Sequence, residues 1–310
     1  MSLHILKPGL QTTIQDGGRP GKLRWGLARG GAADTVAMAL ANLLLGNPAS
    51  HPCLEVTLTG PEIAFTTDMS IAITGAHFEL TLNGASLEND TVIRVQAGDR
   101  LRFGTLQSGA RAYIALAAEF AIEPCMGSLS THVIAGFGGV AGRALEAGDQ
   151  LPLRNCRIEK IRRLPGAYRL DYGNRPLLRA VAGQEAHHFL SRAQQQLYAG
   201  GFTVSPQSNR MGIRLDGPPL PGENLPQQVS SAVCPGTVQV PPNGLPIISF
   251  VEGQTIGGYP RIAHVISADV HRLGQLTAGT VLNLERIDAE GARKIQREKA
   301  HLLMKLPDLL

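Results

Sequence analysis

Residues 70–95 read Ser70-Ile-Ala-Ile-Thr-Gly-Ala-His-Phe-Glu-Leu-Thr-Leu-Asn-Gly-Ala-Ser-Leu-Glu-Asn-Asp-Thr-Val-Ile-Arg-Val95. Apolar and polar side chains alternate through Ser70–Thr74, Phe78–Leu82 and Thr91–Val95. A period of two sends successive side chains to opposite faces of a strand, so each run predicts a half-buried strand. Asn83-Gly84 is a tight-turn dipeptide, since both residues accept the positive φ that a two-residue hairpin requires. The same alternation extends outward to Glu55–Thr59, Arg100–Phe103 and Arg111–Leu116, with Ala97-Gly98-Asp99 as a further break. Six short strands at regular spacing predict a barrel or sandwich, not a parallel α/β sheet.

The flanking text supplies a few helices and a second run of strands. Asp34 is an N-cap for a helix over 34–45 with Val36, Leu40, Leu43 and Leu44 on its apolar face and Gly46 beyond its end. A second helix is predicted over 185–199, closed by Gly200-Gly201, and a C-terminal one from Ala289 to Leu306, ended by Pro307. Strands are expected at 211–215, 236–240, 246–250, 262–266 and 280–284. Leu164-Pro165-Gly166 marks a boundary between domains 1–164 and 165–310. The halves echo each other. Thr57-Leu-Thr-Gly60-Pro61 parallels Arg214-Leu-Asp-Gly217-Pro218, and Gly138-Gly139 before Ala147-Gly148-Asp149 parallels Gly257-Gly258 before Ala278-Gly279-Thr280. Two related β domains follow.

Composition excludes several classes. At 43% hydrophobic residues the 310-residue chain can bury real cores, and its 36 glycines and 20 prolines, without period, argue against a helical bundle. The net charge of +4 comes from interspersed residues rather than a basic stripe, so no nucleic-acid partner is expected. Cys53, Cys125, Cys156 and Cys234 are far apart and form no Cys-x-x-Cys pair, which predicts no metal site and fits a reducing cytoplasm. Neither a signal peptide nor a bilayer-spanning segment is legible, so no membrane partner is expected.

Two glycine-rich stretches imitate nucleotide motifs. Lys22 after Gly21 suggests a phosphate loop, but the spacing is one residue short and Leu23 stands where a hydroxyl is needed. Gly136-Phe-Gly138-Gly-Val-Ala141 matches a dinucleotide fingerprint, yet Ala147-Gly148-Asp149 leaves no room for the helix behind it. Structural glycines in a β loop are the better reading.

The remaining polar loops give the candidate site. Gln15-Asp16-Gly17-Gly18-Arg19 is a polar turn in which Asp16 and Arg19 are candidate catalytic groups. Ser128, Ser130 and Thr131 offer hydroxyls and backbone N–H groups to an anion. Arg210 presents a guanidinium able to fork a carboxylate or phosphate. Asp269 is a further carboxylate without a nameable partner, and His187-His188 diverge on a helix and predict no metal pair. Gln254, Thr255 and Tyr259 place polar tips beside Gly257-Gly258, just before the β-branched run 262–266. Gln254 is the first catalytic candidate there, with Thr255, Gly257, Gly258 and Tyr259 as substrate contacts.

Nine blocks carry a family resemblance over nearly the whole chain. They are 9–19, Gly30-Gly-Ala-Ala-Asp34, 41–47, Leu54-Glu-Val-Thr-Leu-Thr-Gly-Pro61, Gly127-Ser-Leu-Ser-Thr131, 142–149, Asn209-Arg-Met-Gly-Ile-Arg-Leu215, Gln239-Val-Pro-Pro-Asn-Gly244 and Gln254-Thr-Ile-Gly-Gly-Tyr-Pro260. In this order they resemble the KipA or allophanate-hydrolase-subunit-2 family, which includes the C-subunits of bacterial 5-oxoprolinases. The resemblance implies a mainly β fold of two cyclophilin-like β-barrel domains in tandem, with inserted helices and a C-terminal helix. It implies a KipI-like B-subunit and a lactam-cleaving A-subunit as partners. It implies ATP, with Mg, consumed to activate the carbonyl of 5-oxo-L-proline by phosphorylation before ring opening to L-glutamate. It names no catalytic residue. Two alternatives belong to the same family: the carboxyltransferase component of a urea carboxylase or allophanate-type system, and a regulatory protein antagonising a KipI-like kinase inhibitor. Leu303-Met304-Lys305-Leu306 lacks the second Met of a biotin acceptor, so no covalent biotin is expected. Leu129 stands where the family commonly has Arg, and Ile256 where it has Thr.

Overall fold

A computed structural model of the chain describes residues 1–173, 176–220 and 228–310. The chain divides into two compact units. The first comprises Met1–Arg19, Gly30–Tyr172 and Lys305–Leu310; the second comprises Pro20–Arg29 and Gly173–Met304. The main change of unit falls between Tyr172 and Gly173, and two short segments belong to the unit opposite their sequence neighbours.

In the first unit the strands are β1 (Ser2–Lys7), β2 (Gln11–Gln15), β3 (Cys53–Thr57), β4 (Glu62–Phe65), β5 (Met69–Leu82), β6 (Ala85–Leu87), β7 (Val92–Val95), β8 (Arg100–Leu116), β9 (Glu119–Phe120) and β10 (Gln150–Arg154). They form one sheet, ordered β2-β3-β8-β4-β1-β10-β9, with β5 pairing β6, β7 and β8. The sequence predicts separate short strands at 70–74 and 78–82, and at 100–103 and 111–116. Instead β5 and β8 are each continuous and pair from Ile71↔Leu116 to Leu82↔Leu101. The bend that looked like a break is absorbed inside the ladder by register shifts between Gly75 and Leu80. Inward side chains such as Leu3, Ile14, Leu54, Ile73, Phe78, Leu101 and Phe103 make the core, and the Phe78 and Phe103 rings meet edge to face at 5.1 Å. Helix α1 (Thr35–Leu44) packs on β5 and β8, and the Asp34 carboxylate caps it by accepting the Val36 and Ala37 N–H groups at 3.0 and 2.9 Å.

The second unit contains β11 (Leu177–Ala182), α2 (Ser191–Ala199), β12 (Phe202–Val204), β13 (Gly212–Asp216), β14 (Ser231–Ala232), β15 (Thr237–Gln239), β16 (Ile247–Ser249), β17 (Ile256–Gly257), β18 (Arg261–Val265), β19 (Val281–Arg286) and α3 (Ala289–Lys305). Seven of these strands close a barrel in the order β11-β18-β15-β16-β13-β12-β19. It closes through the parallel pair β11–β19; its other pairs are antiparallel. Leu178, Ala180, Phe202, Val238, Ile248, Ala263, Val265 and Leu282 are buried on these strands.

The fold is therefore mainly β, a closed barrel in one unit and a half-barrel sheet in the other, with few helices and a C-terminal one. The helix predicted over 185–199 is divided: a single turn at Ala186–His188 precedes an extended Phe189-Leu190, and α2 begins at Ser191. Glu185 does not cap a helix, because its carboxylate is held by the Arg261 guanidinium and backbone N–H on β18. Among the described residues no helix is long and apolar enough to cross a membrane.

Candidate functional site

In the first unit the chain reverses after β2, and Asp16 is the knot of that turn. Its Oδ1 accepts the Gly18 N–H at 2.8 Å, the Ser128 hydroxyl at 2.6 Å and the Ser130 hydroxyl at 2.5 Å; Oδ2 accepts the Leu129 N–H at 2.7 Å. The Ser130 Oγ in turn accepts the Asp16 N–H at 2.9 Å. Arg19, 1% exposed, donates from Nε to the Cys125 carbonyl at 3.0 Å and from Nη2 to the Ser130 carbonyl at 2.6 Å. Its guanidinium also lies over the Phe137 ring, 4.8 Å from the centroid. The Thr131 backbone N–H and hydroxyl both reach the Ile14 carbonyl, at 2.9 and 3.2 Å. Thus Asp16, Arg19, Ser128, Ser130 and Thr131 are brought together as one buried network.

Gly138 and Gly139 complete it. A Cβ on Gly138 would collide with the Ser130 carbonyl, and one on Gly139 with the Thr131 hydroxyl. No helix follows them. Their role is close backbone approach, as the reading against a dinucleotide site requires.

A neighbouring polar network escaped the sequence analysis. The Tyr113 hydroxyl donates to Glu55 Oε2 at 2.7 Å and accepts the Asp34 N–H at 2.7 Å; Glu55 Oε2 also accepts the Ala33 N–H at 2.8 Å. The Tyr172 hydroxyl donates to Asp34 Oδ2 at 2.9 Å. Burial, then the Glu55 and Asp34 carboxylates, hold the Tyr113 pKa well above its ordinary value, so it stays a donor. Glu55 sits in the alternating run that predicted β3, where alternation assigns it to a solvent-facing side, but every residue of that strand is buried.

In the second unit the candidate loop is partly a strand. Ile256 and Gly257 pair with Ala232 and Ser231 in a two-stranded ribbon separate from the barrel, and the Val233 N–H donates to the Thr255 carbonyl at 2.9 Å. Thr255 is buried, whereas Gln254 and Tyr259 are exposed. Buried Gln239 on β15 donates from Nε2 to the Tyr259 carbonyl at 3.4 Å. Arg210 is not a free fork: its Nε donates to Glu252 Oε1 at 2.5 Å, both side chains being buried, and the Glu252 N–H donates to the Arg210 carbonyl at 2.9 Å. This pair clamps the turn before β13 to the start of the Gln254 stretch. Asp269 likewise accepts from Arg179 Nε and Nη2 at 2.8 and 2.6 Å. Among the described residues no three His, Cys, Asp or Glu side chains gather as metal ligands.

The arrangement offers two distinct chemistries. The first-unit network fixes backbone and hydroxyl groups around a carboxylate whose oxygens are already engaged. The second-unit ribbon leaves an exposed carboxamide, Gln254, beside backbone that glycine keeps bare.

Residues 25–286 match the family described as carboxyltransferase domain, subdomain A and B. The chain is 39% identical over 297 residues to the 5-oxoprolinase C-subunit of Escherichia coli, covering 96% of this chain and 95% of that one. It is 35% identical over 301 residues to the 5-oxoprolinase C-subunit of Haemophilus influenzae, covering 96% and 94%. Among solved structures, urea amidolyase of K. lactis superposes with a TM-score of 0.90 at 27% identity, over 97% of this chain and only 20% of that enzyme.

Proposed function

The chain belongs to the carboxyltransferase-domain family, subdomains A and B, and from that premise we propose that it is the C-subunit of an ATP-dependent 5-oxoprolinase. The observation that carries this is the 39% identity to a protein of that name along almost the full length of both chains. A KipI-like partner, the B-subunit, completes the activating unit, and a separate A-subunit cleaves the lactam.

Amide resonance makes the lactam carbonyl a poor electrophile, so ring opening needs an activated oxygen. In the proposed sequence the carbonyl oxygen attacks the γ-phosphorus of ATP, forming an O–P bond as the bond to ADP breaks. In the A-subunit one water then adds to the phosphorylated carbon and the C–N bond breaks, the nitrogen leaving as the amine of an acyl phosphate. A second water hydrolyses that acyl phosphate to phosphate and L-glutamate. ATP and its Mg are substrates of the assembled complex. Gly136–Gly142 packs against Ser130 and Thr131 and opens no helix, so it does not supply the phosphate cradle of a helix N-terminus. In this reading Gln254, Thr255, Gly257, Gly258 and Tyr259 face the lactam. Asp16 and Arg19 act by holding the Ser128–Thr131 loop, and Arg210 by holding the Glu252 end of the Gln254 stretch.

The test is ATP hydrolysis by the purified complex of all three components. The rate is expected to rise in proportion to added 5-oxo-L-proline, and a flat rate would sink the reading. The second reading, carboxyl transfer to a urea-type amide with biotin on a separate carrier, is favoured by the TM-score of 0.90 against urea amidolyase. Dependence on biotin and bicarbonate would promote it.

A further inference from the structure

Residues 17–33 hold four basic side chains, Arg19, Lys22, Arg24 and Arg29, and no acidic one. Arg19 is engaged inside the first-unit network, whereas Pro20–Arg29 belongs to the second unit. At the centre of this segment Leu23–Trp25 forms a single tight helical turn. The Trp25 N–H donates to the Lys22 carbonyl and the Gly26 N–H to the Leu23 carbonyl, both at 2.9 Å. No residue of the turn is buried: Leu23 is 53% exposed and Trp25, the only tryptophan of the chain, 61%. Cations flank the Trp25 ring, Lys22 Nζ at 4.5 Å from its centroid and Arg24 Cζ at 4.8 Å. Among the described residues no carboxylate pairs with Lys22 or Arg24.

A singly exposed apolar side chain is ordinary; Trp25 is set apart by its neighbours. Leu23 widens the apolar surface, and the stacked cations steady the indole without covering it. A ring already held in place loses less freedom on binding. Trp and Arg are the residue types that anchor protein interfaces, and the surrounding charge sets the sign of what covers them. We propose that the Lys22–Trp25 turn is a docking surface for an acidic face of a protein partner. Trp25 enters an apolar pocket of that partner, and Lys22 and Arg24 meet carboxylates around it. The proposal rests on the reading that a B-subunit completes the activating unit, and it names the surface of this chain which that subunit covers. A duplex phosphate backbone would use the cations and leave Leu23 and Trp25 idle. One three-residue turn buries too little apolar area to hold the chain on a bilayer.

Incorporating 5-fluorotryptophan into this chain alone gives one fluorine resonance, from position 25. It is expected to shift when purified B-subunit is added, with an affinity that weakens as salt rises. Trp25→Ala removes only an exposed side chain, and its dissociation constant for the B-subunit is expected to rise about thirtyfold. The double variant Lys22→Gln, Arg24→Gln keeps the indole. It should slow association about tenfold at low salt and lose the salt dependence, and it covers the case in which Trp25→Ala fails to fold. A complex that forms without moving the resonance, or a folded variant of either kind that binds like the parent, overturns the docking surface and leaves the 5-oxoprolinase reading intact. A resonance that ignores the B-subunit but moves with the concentration of this chain, with phosphatidylglycerol vesicles or with duplex DNA also overturns it, in favour of that occupant. A complex that docks through Trp25 yet hydrolyses ATP regardless of 5-oxo-L-proline keeps the surface and removes the 5-oxoprolinase reading. Failure of the two chains to associate removes both.

Discussion

Asp16 accepts four hydrogen bonds on its two carboxylate oxygens, at 2.5 to 2.8 Å, from groups more than a hundred positions away as well as from its own turn. Replacing one oxygen with an amide NH2 points a donor at a donor. Asp16→Asn should therefore cost about 2–4 kcal/mol, since charged hydrogen bonds are lost and a buried group is left mismatched. The urea unfolding midpoint would show it; a variant that loses turnover at unchanged midpoint would instead mark Asp16 as a proton-transfer group. Gln254→Ala is expected to behave in the opposite way. An exposed side chain bound to no described residue contributes within about 0.5 kcal/mol, so the variant should keep its midpoint and its complex while substrate-stimulated ATP turnover falls at least about tenfold. Loss of assembly would make Gln254 structural. Sequence reasoning could place Asp16 in a turn because Asp and Gly share the necessary backbone angles. It could not show that Ser128 and Ser130 spend their hydroxyls on that carboxylate, because no local pattern encodes a pairing across such a loop.

At the scale of the element, β5 shows how a strand can bend without ending. Gly75 has φ +92, and a Cβ on it would lie 2.6 Å from the Arg111 carbonyl and 3.2 Å from the Ala37 Cβ on α1. Gly84 has a similar φ, +86, but nothing lies within 4 Å of its missing Cβ. Gly84→Ala should then cost only the backbone strain, about 1–2 kcal/mol. Gly75→Ala adds a clash with backbone and displaces α1, so its cost should exceed that of Gly84→Ala by about 2 kcal/mol. Denaturant midpoints of the two variants, measured together, decide it; equal costs would mean that the sheet moves freely away from α1. The same position explains what the sequence analysis missed. Gly75-Ala76 interrupts the alternation and reads as a strand end, yet β8 supplies ladder partners on both sides of the bend. The division of the 185–199 helix has a similar origin. Its periodicity is genuine from Ser191 onward, while Glu185 answers to an arginine 76 positions later. Barrel strands β13 and β19 were legible because burial alternates along them, which is what a period of two reports, whereas β15 is buried throughout and was legible only from its β-branched residues and flanking glycine.

Over the whole molecule, acid sensitivity follows from which groups are held in one protonation state. Burial lowers the pKa of His264, a residue of β18 whose Nδ1 lies 3.3 Å from the Thr237 hydroxyl on β15. The bonds from Arg261 lower Glu185, the larger effect there, against burial that raises it. For Asp269 burial is the largest single influence and raises the pKa, but the side-chain and backbone bonds from Arg179 together overcome it and leave the value lowered. All three groups take up protons less readily folded than unfolded, so each contributes stability that is complete above its unfolded pKa and is lost as pH falls towards its folded one. The unfolded values, about 6.5 for histidine and about 4 for the carboxylates, order the losses. Acidification from neutrality should first weaken the fold below about pH 6.5 through His264, and then more steeply below about pH 4 as Glu185 and Asp269 are forced to protonate. His264→Gln should flatten the first step and leave the second. Asp269→Asn should leave the first step and shrink the second to the part that Glu185 carries and, by stranding Arg179, lower stability at neutral pH by about 1–3 kcal/mol, less than a fully buried pair because that arginine is part-exposed. Urea midpoints at half-unit pH intervals for the parent and both variants separate the two steps. A parent profile that is flat from pH 7 to 4.5 would show that β18 admits a charged histidine.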